Sequence, residues 1–125
     1  MTAPLHERID PVYRAWPQWV PRRSIDGQEC ELTPTPTGEW AWSKPTTIWE
    51  VLPEPDAAAH WFRAMVVGLA ASDEMLGLTV EKSAAGTIFY VEDGDTMLVT
   101  VGFTDPIDAL IDASLWLARK EGKGK

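Results

Sequence analysis

One cysteine and two histidines stand in a chain of 125 residues, and its 11 basic residues are outnumbered by 19 acidic ones. Each scarcity closes off a class of chemistry. Cys30 alone cannot form an intrachain disulfide or anchor a structural zinc site of the usual kind, and it points to a reducing cytoplasm. A nucleophilic triad would have to be built on His6 or His60. His6 falls in an expected mobile start and His60 on the outer side of an expected helix, so neither is placed to activate a serine or Cys30. Asp26, Glu29 and Glu31 lack the spacing of a calcium loop, and no glycine-rich phosphate cradle is present. The longest apolar stretch, around Met65 to Ala71, is too short for a bilayer, and the first residues contain no signal-like apolar run. The sequence therefore predicts no catalytic residue, no metal, no cofactor and no membrane segment.

The deficit of positive charge is unevenly spread. Residues 1–23 are net +2, residues 24–60 net −6, residues 61–104 net −4, and residues 105–125 neutral. Counterion release needs clustered Lys and Arg, so the expectation is that the chain does not bind nucleic acid directly. An acidic body suits solubility or a basic partner.

What the chain has in surplus is tryptophan and proline, seven and ten residues. In 1–23, "LHERIDPVYRAW" has helical character that Pro11 is expected to interrupt, with Pro17 and Pro21 stopping any continuation. This predicts an N-terminal arm or broken helix. Next come a turn at Asp26-Gly27, a strand at 29–32, a Thr-Pro loop and a strand at 39–43, in which Trp40 and Trp42 share a face. A proline-limited approach carrying Trp49 then ends at "PEPD", which frees Asp56 to cap a helix over about 56–72 with Ala58, Trp61, Phe62, Met65 and Leu69 on its inner stripe. "GLTVEKS", "TIFYVE" and "TMLVTVGF" predict a three-stranded antiparallel meander. Thr104 or Asp105, then Pro106 and Asp108, predict the start of a closing helix over about 105–121. Its inner stripe is Ile107, Leu110, Ile111, Ser114, Leu115 and Ala118, with Trp116 outward beside Asp112, Ala109 and Ala113. The expected fold is α+β: an antiparallel sheet of three to five strands packed with two main helices, one domain over 24–121, and a disordered tail at 122–125.

The run "PEPDAAAHWFRAM", "LGLTVEKS", "TIFYVEDG", "TMLVTVGF" and "DPIDALIDASLWLA" resembles the phage α/β/α sandwich domain, a family of small phage and prophage proteins, over about residues 54–119. The resemblance implies a phage origin and an α+β sandwich, and transfers no catalytic residue. The long acidic segment around Asp26 to Glu54 and the tryptophan content depart from that family's pattern.

Three functional expectations arise from these features. The first is a non-enzymatic, cytoplasmic phage-type protein that binds and inhibits a bacterial host or defence protein, an anti-CRISPR or other anti-defence inhibitor being its concrete form. Its contact residues would be Trp116, Asp112, Trp40, Trp42, Trp49, Glu29 and Glu31, as aromatic anchors amid negative charge. The second is a small-molecule binder for a signalling nucleotide, using Arg22, Arg23, Arg63 and Trp19, which requires an arginine pointing into an aromatic pocket. The third is a structural homo-oligomer, in its simplest form a homodimer, pairing through Trp116.

Overall fold

The computed structural model describes residues 3–44, 47–84, 86–94, 98–100 and 102–122. It is an α+β fold in which antiparallel strands pack against helices. By contact density the chain divides into two units, 1–64 and 65–125, with the boundary inside one helix.

The first unit begins with α1 (Leu5–Ala15), a single helix that runs through Pro11. The expected break does not occur. Proline removes one backbone donor and crowds the preceding turn, but Leu5, Ile9, Val12 and Ala15 form a buried stripe that holds the helix on the core, with Pro11 on the exposed side. The N-terminal segment is thus part of the packed unit rather than a free arm. Pro17–Trp19 adds a short 3-10 turn.

Four strands come next: β1 (Arg22–Ile25), β2 (Gln28–Pro34), β3 (Trp40–Lys44) and β4 (Thr47–Leu52). They form an antiparallel sheet in sequential order. Asp26 and Gly27 turn β1 into β2 with φ of 50° and 76°, the two positive values that a tight hairpin of the primed type requires. The sequence predicts β2 and β3, whereas β1 and β4 form where arginine-rich and threonine-tryptophan segments find a paired edge. A register shift between Trp42 and Ser43 bends β3. Trp40, Ala41 and Trp42 are all buried, so both faces of β3 are covered.

The boundary helix, α2 (Glu54–Ala70), starts earlier than the Asp56 cap predicts. The Pro53 carbonyl accepts from Asp56 N and Ala57 N, so Pro55 takes a first-turn position where its missing donor costs little. Asp56 then sits inside the first turn, favourably placed against the helix dipole. Trp61, Met65 and Leu69 are buried, as the inner stripe predicts.

In the second unit, β5 (Gly77–Ser83) and β6 (Gly86–Glu92) form an antiparallel hairpin. The third run of the expected meander contributes two isolated antiparallel bridges, Phe89 to Phe103 and Glu92 to Leu98, and no named strand among the described residues. Residues 96, 97 and 101 of that run lie outside the described residues. The last helix, α3 (Pro106–Lys120), is capped as expected: the Asp105 carboxylate accepts from Ile107 N at 2.9 Å. Its buried side includes Ile107, Leu110, Ser114, Leu117 and Ala118 together with Ala109 and Ala113. The two alanines expected to frame an outward patch are therefore core, while Ile111 and Leu115 are half-buried. Of the expected disordered tail, residues 123–125 lie outside the described residues.

Candidate functional site

Helix α1 places His6, Ile9, Asp10 and Tyr13 three or four residues apart along one side, the spacing that aligns side chains on a helix. These four, with Thr33 and Pro34 of β2, Trp40 of β3 and Trp61 of α2, line a cavity of about 210 Å³. Every lining residue belongs to the first unit.

The walls are mostly apolar and aromatic. Trp40 and Trp61 meet edge to face, with ring centroids 6.4 Å apart and planes at 62°. Both indoles are only 1% exposed, and neither Nε1 finds a hydrogen-bond partner among the described residues. His6 Nδ1 is buried and equally without a partner. Three of the eight lining residues thus carry an unsatisfied buried polar atom, each of which ordinarily costs about 1–3 kcal/mol. The hairpin loop between β2 and β3 backs onto His6: Gly38 has φ of 85°, and a Cβ there would lie 3.3 Å from His6 Cε1. Asp10 contributes charge, tempered by Arg14 at 2.8 Å in a largely exposed ion pair. Thr33 Oγ1 and Ser43 Oγ are hydrogen-bonded at 2.8 Å.

A second aromatic cluster surrounds Trp42, whose indole nitrogen is also buried without a partner among the described residues. The His60 ring meets it edge-on at 5.1 Å, and the Arg23 guanidinium lies 6.0 Å from its centroid. Arg23 pairs with Glu50 at 3.2 Å. Cys30, fully buried in β2, donates weakly to Gln28 O. His60, in contrast, is exposed on α2.

The expected contact residues are dispersed. Trp40 and Trp42, expected as anchors for a partner, are core residues, because the sheet is covered where they lie. The side chain of Trp49, in β4, lies outside the described residues. Glu29 and Glu31 both reach Arg22, at 3.5 and 3.2 Å. Trp116 and Asp112 are half-buried, and the Lys120 ammonium covers the Trp116 ring at 5.0 Å while pairing with Glu74 at 2.9 Å. Of the residues expected around an anion, Trp19 stacks on Trp16 at 4.5 Å and Arg63 is exposed. None of Arg22, Arg23, Arg63 and Trp19 lines the cavity. The lining residues His6, Asp10, Tyr13 and Thr33 carry no sequence signal beyond the helical spacing of the first three, and the expected break at Pro11 obscured that spacing.

In the second unit, Tyr90 shares a face of the hairpin with Glu81 and Glu92. Partial burial, then the negative charges of Glu92 and Glu81, push its phenol above the ordinary value of 10.0. The folded protein should therefore hold this proton at a pH where the unfolded chain releases it, so its contribution is present below pH 10 and fades as pH rises further. A phenolate absorbance titration should show one component above that of free tyrosine, absent in Tyr90→Phe and lowered in Glu92→Gln. A Tyr90 component at or below pH 10 would contradict the environment described.

Among the described residues, no three His, Cys, Asp or Glu side chains are grouped to hold a metal ion, and no helix is long and apolar enough to cross a membrane. No protein-family model, curated protein or solved structure matches this chain.

Proposed function

We propose that the first unit is a small-molecule-binding module whose site is the cavity between α1, β2, β3 and α2. The observation that carries this reading is the cavity itself, a mostly apolar hollow to which His6, Asp10, Tyr13 and Thr33 contribute polar side chains. At about 210 Å³ the space lies below the ~300 Å³ at which drug-sized sites begin, so the ligand is of metabolite size. The nucleotide version of this reading loses support because no arginine or lysine among the described residues lines the cavity.

The test is a thermal-shift screen of the full chain against small metabolites. A true ligand at 100 times its Kd adds about 2.7 kcal/mol of stability, which raises Tm by roughly 10 °C for a chain of this size. Ile9→Phe, which adds bulk to the α1 wall of the cavity, should abolish the response, with far-UV circular dichroism recorded beside it to check the fold. A screen with no response from any compound would overturn the reading.

A protein-binding role, in its concrete form a phage-type anti-defence inhibitor acting on a bacterial host or defence protein, is the second reading. Asp26, Glu39, Glu54 and Asp56 are exposed and favour it. The burial of Trp40 and Trp42 and the pairing of Glu29, Glu31 and Glu50 with arginines weigh against it.

A further inference from the structure

We propose that the open face of the β5–β6 hairpin is a docking surface for an arginine-bearing segment of another protein, whose guanidinium lies over the Tyr90 ring between Glu81 and Glu92. The surface belongs wholly to the second unit and stands independently of the cavity.

Strand register sets out this face. Thr79 pairs with Tyr90 and Glu81 with Ile88, and directly opposed residues project to the same side. Glu92, two positions beyond Tyr90, joins them, and its bridge partner Leu98 adds a side chain that is 67% exposed. None of these six residues is buried, whereas Val91, on the opposite side of β6, is fully buried. One side of the hairpin is therefore core and the other is open. Along the open side Glu92 and Ile88 flank Tyr90, and Glu81 lies diagonally across from it, so the two carboxylates bracket the phenol ring. Thr79 Oγ1 donates to Glu92 Oε1 at 2.8 Å and holds that carboxylate in place. A Cβ at Gly102 would come within 2.5 Å of Ile88 Cγ2, so Ile88 itself spreads over that position and continues the apolar surface onto the third run.

Charge selects the partner. Among the described residues this face carries two carboxylates and no lysine or arginine, since Lys82 alternates to the other side. A cation complements it, and a phosphate-bearing surface is repelled. A second copy fits poorly, because a two-fold contact sets the same patch against itself and would oppose Glu81 and Glu92 to their own counterparts. Arginine suits the site better than lysine: its planar guanidinium stacks on an aromatic ring and donates to carboxylates in a fork. Ile88 and Leu98 then offer apolar contact to aliphatic neighbours of that arginine, so an extended segment alternating the two residue types matches the face.

The experiment is a titration of the isotope-labelled full chain with an octapeptide of alternating arginine and valine, followed by the amide resonances. A citrulline-valine octapeptide, which keeps the shape and loses the charge, is the control. The expected result is saturable shifts concentrated in β5, β6 and Leu98, with the citrulline peptide at least about tenfold weaker. Glu81→Gln combined with Glu92→Gln should weaken arginine-peptide binding by about tenfold. Asp26→Asn combined with Glu54→Gln removes two exposed charges of the first unit and should leave binding within about twofold. Tyr90→Leu should weaken it by about threefold while Tyr90→Phe, which keeps the ring, should not. Absence of saturable binding, or equal weakening by the two charge-removing pairs, would overturn the inference, as would undiminished binding in Tyr90→Leu. Shifts in β5 and β6 that grow with protein concentration in the absence of peptide would assign the face to a second copy and overturn it as well.

Discussion

Trp61→Ala should be the most damaging single substitution in the first unit, with a loss of about 3–5 kcal/mol. The side chain is 1% exposed and meets Trp40 edge to face. Removing it strips away a large buried surface and merges the void with the existing cavity, which leaves neighbours little chance to collapse inward. Aromatic pairing adds about 0.5–1.5 kcal/mol to what is lost. Against a typical total of about 5–15 kcal/mol, the variant should lie near the edge of folding. Urea denaturation should show a large fall in midpoint. Trp61→Phe should cost distinctly less, because it removes an unsatisfied donor along with some packing, and the two effects oppose each other. Equal losses in both variants would show that a ring at position 61 recovers none of the packing lost with the indole.

In the second unit, Leu110→Ala should cost about 2–5 kcal/mol, while Trp116→Ala, six positions further along the same helix, should cost about 1 kcal/mol or less. The contrast runs against residue size. Leu110 is 1% exposed on the side of α3 that carries Ala109, Ala113 and Leu117, and its loss leaves a hole in close-packed surroundings. Trp116 is half-buried under the end of a lysine side chain, where solvent and Lys120 can fill the space. Hydrogen exchange of the α3 and β6 amides should report the difference, with a large acceleration in Leu110→Ala alone. A larger effect from Trp116→Ala would mean that its ring is buried against something beyond Lys120.

Elements with strong local signals are legible from sequence. The Asp105-Pro106 start of α3, the Trp61-Met65-Leu69 stripe of α2 and the Asp26-Gly27 turn are dictated by neighbours within a few residues, and the α+β class comes from them. The helix through Pro11 is not legible, because what retains it is the burial of Leu5, Ile9 and Val12 in the core of the first unit. The strands β1 and β4 escape sequence reasoning for a related cause: Arg22, Arg23 and Glu50 are poor strand signals singly, and their pairing across the sheet depends on tertiary approach. The candidate site is the least legible part. Trp40 reads as a contact residue and Trp61 as core, yet nothing local brings His6 and Tyr13 to them. Side-chain periodicity identifies a buried stripe and says nothing about an incomplete fit beside it.

Cys30 turns burial into a clock. Its thiol, fully enclosed in β2 between β1 and β3, is shut away from any alkylating reagent while both neighbours are in place. The pace of its modification in native solution therefore measures how often that strand comes loose, and reports little about the sulfur's own nucleophilicity. The chain carries one sulfhydryl, so this readout needs no engineered label, and a ligand seated beside Thr33 and Pro34 of the same strand would register as a slower tick.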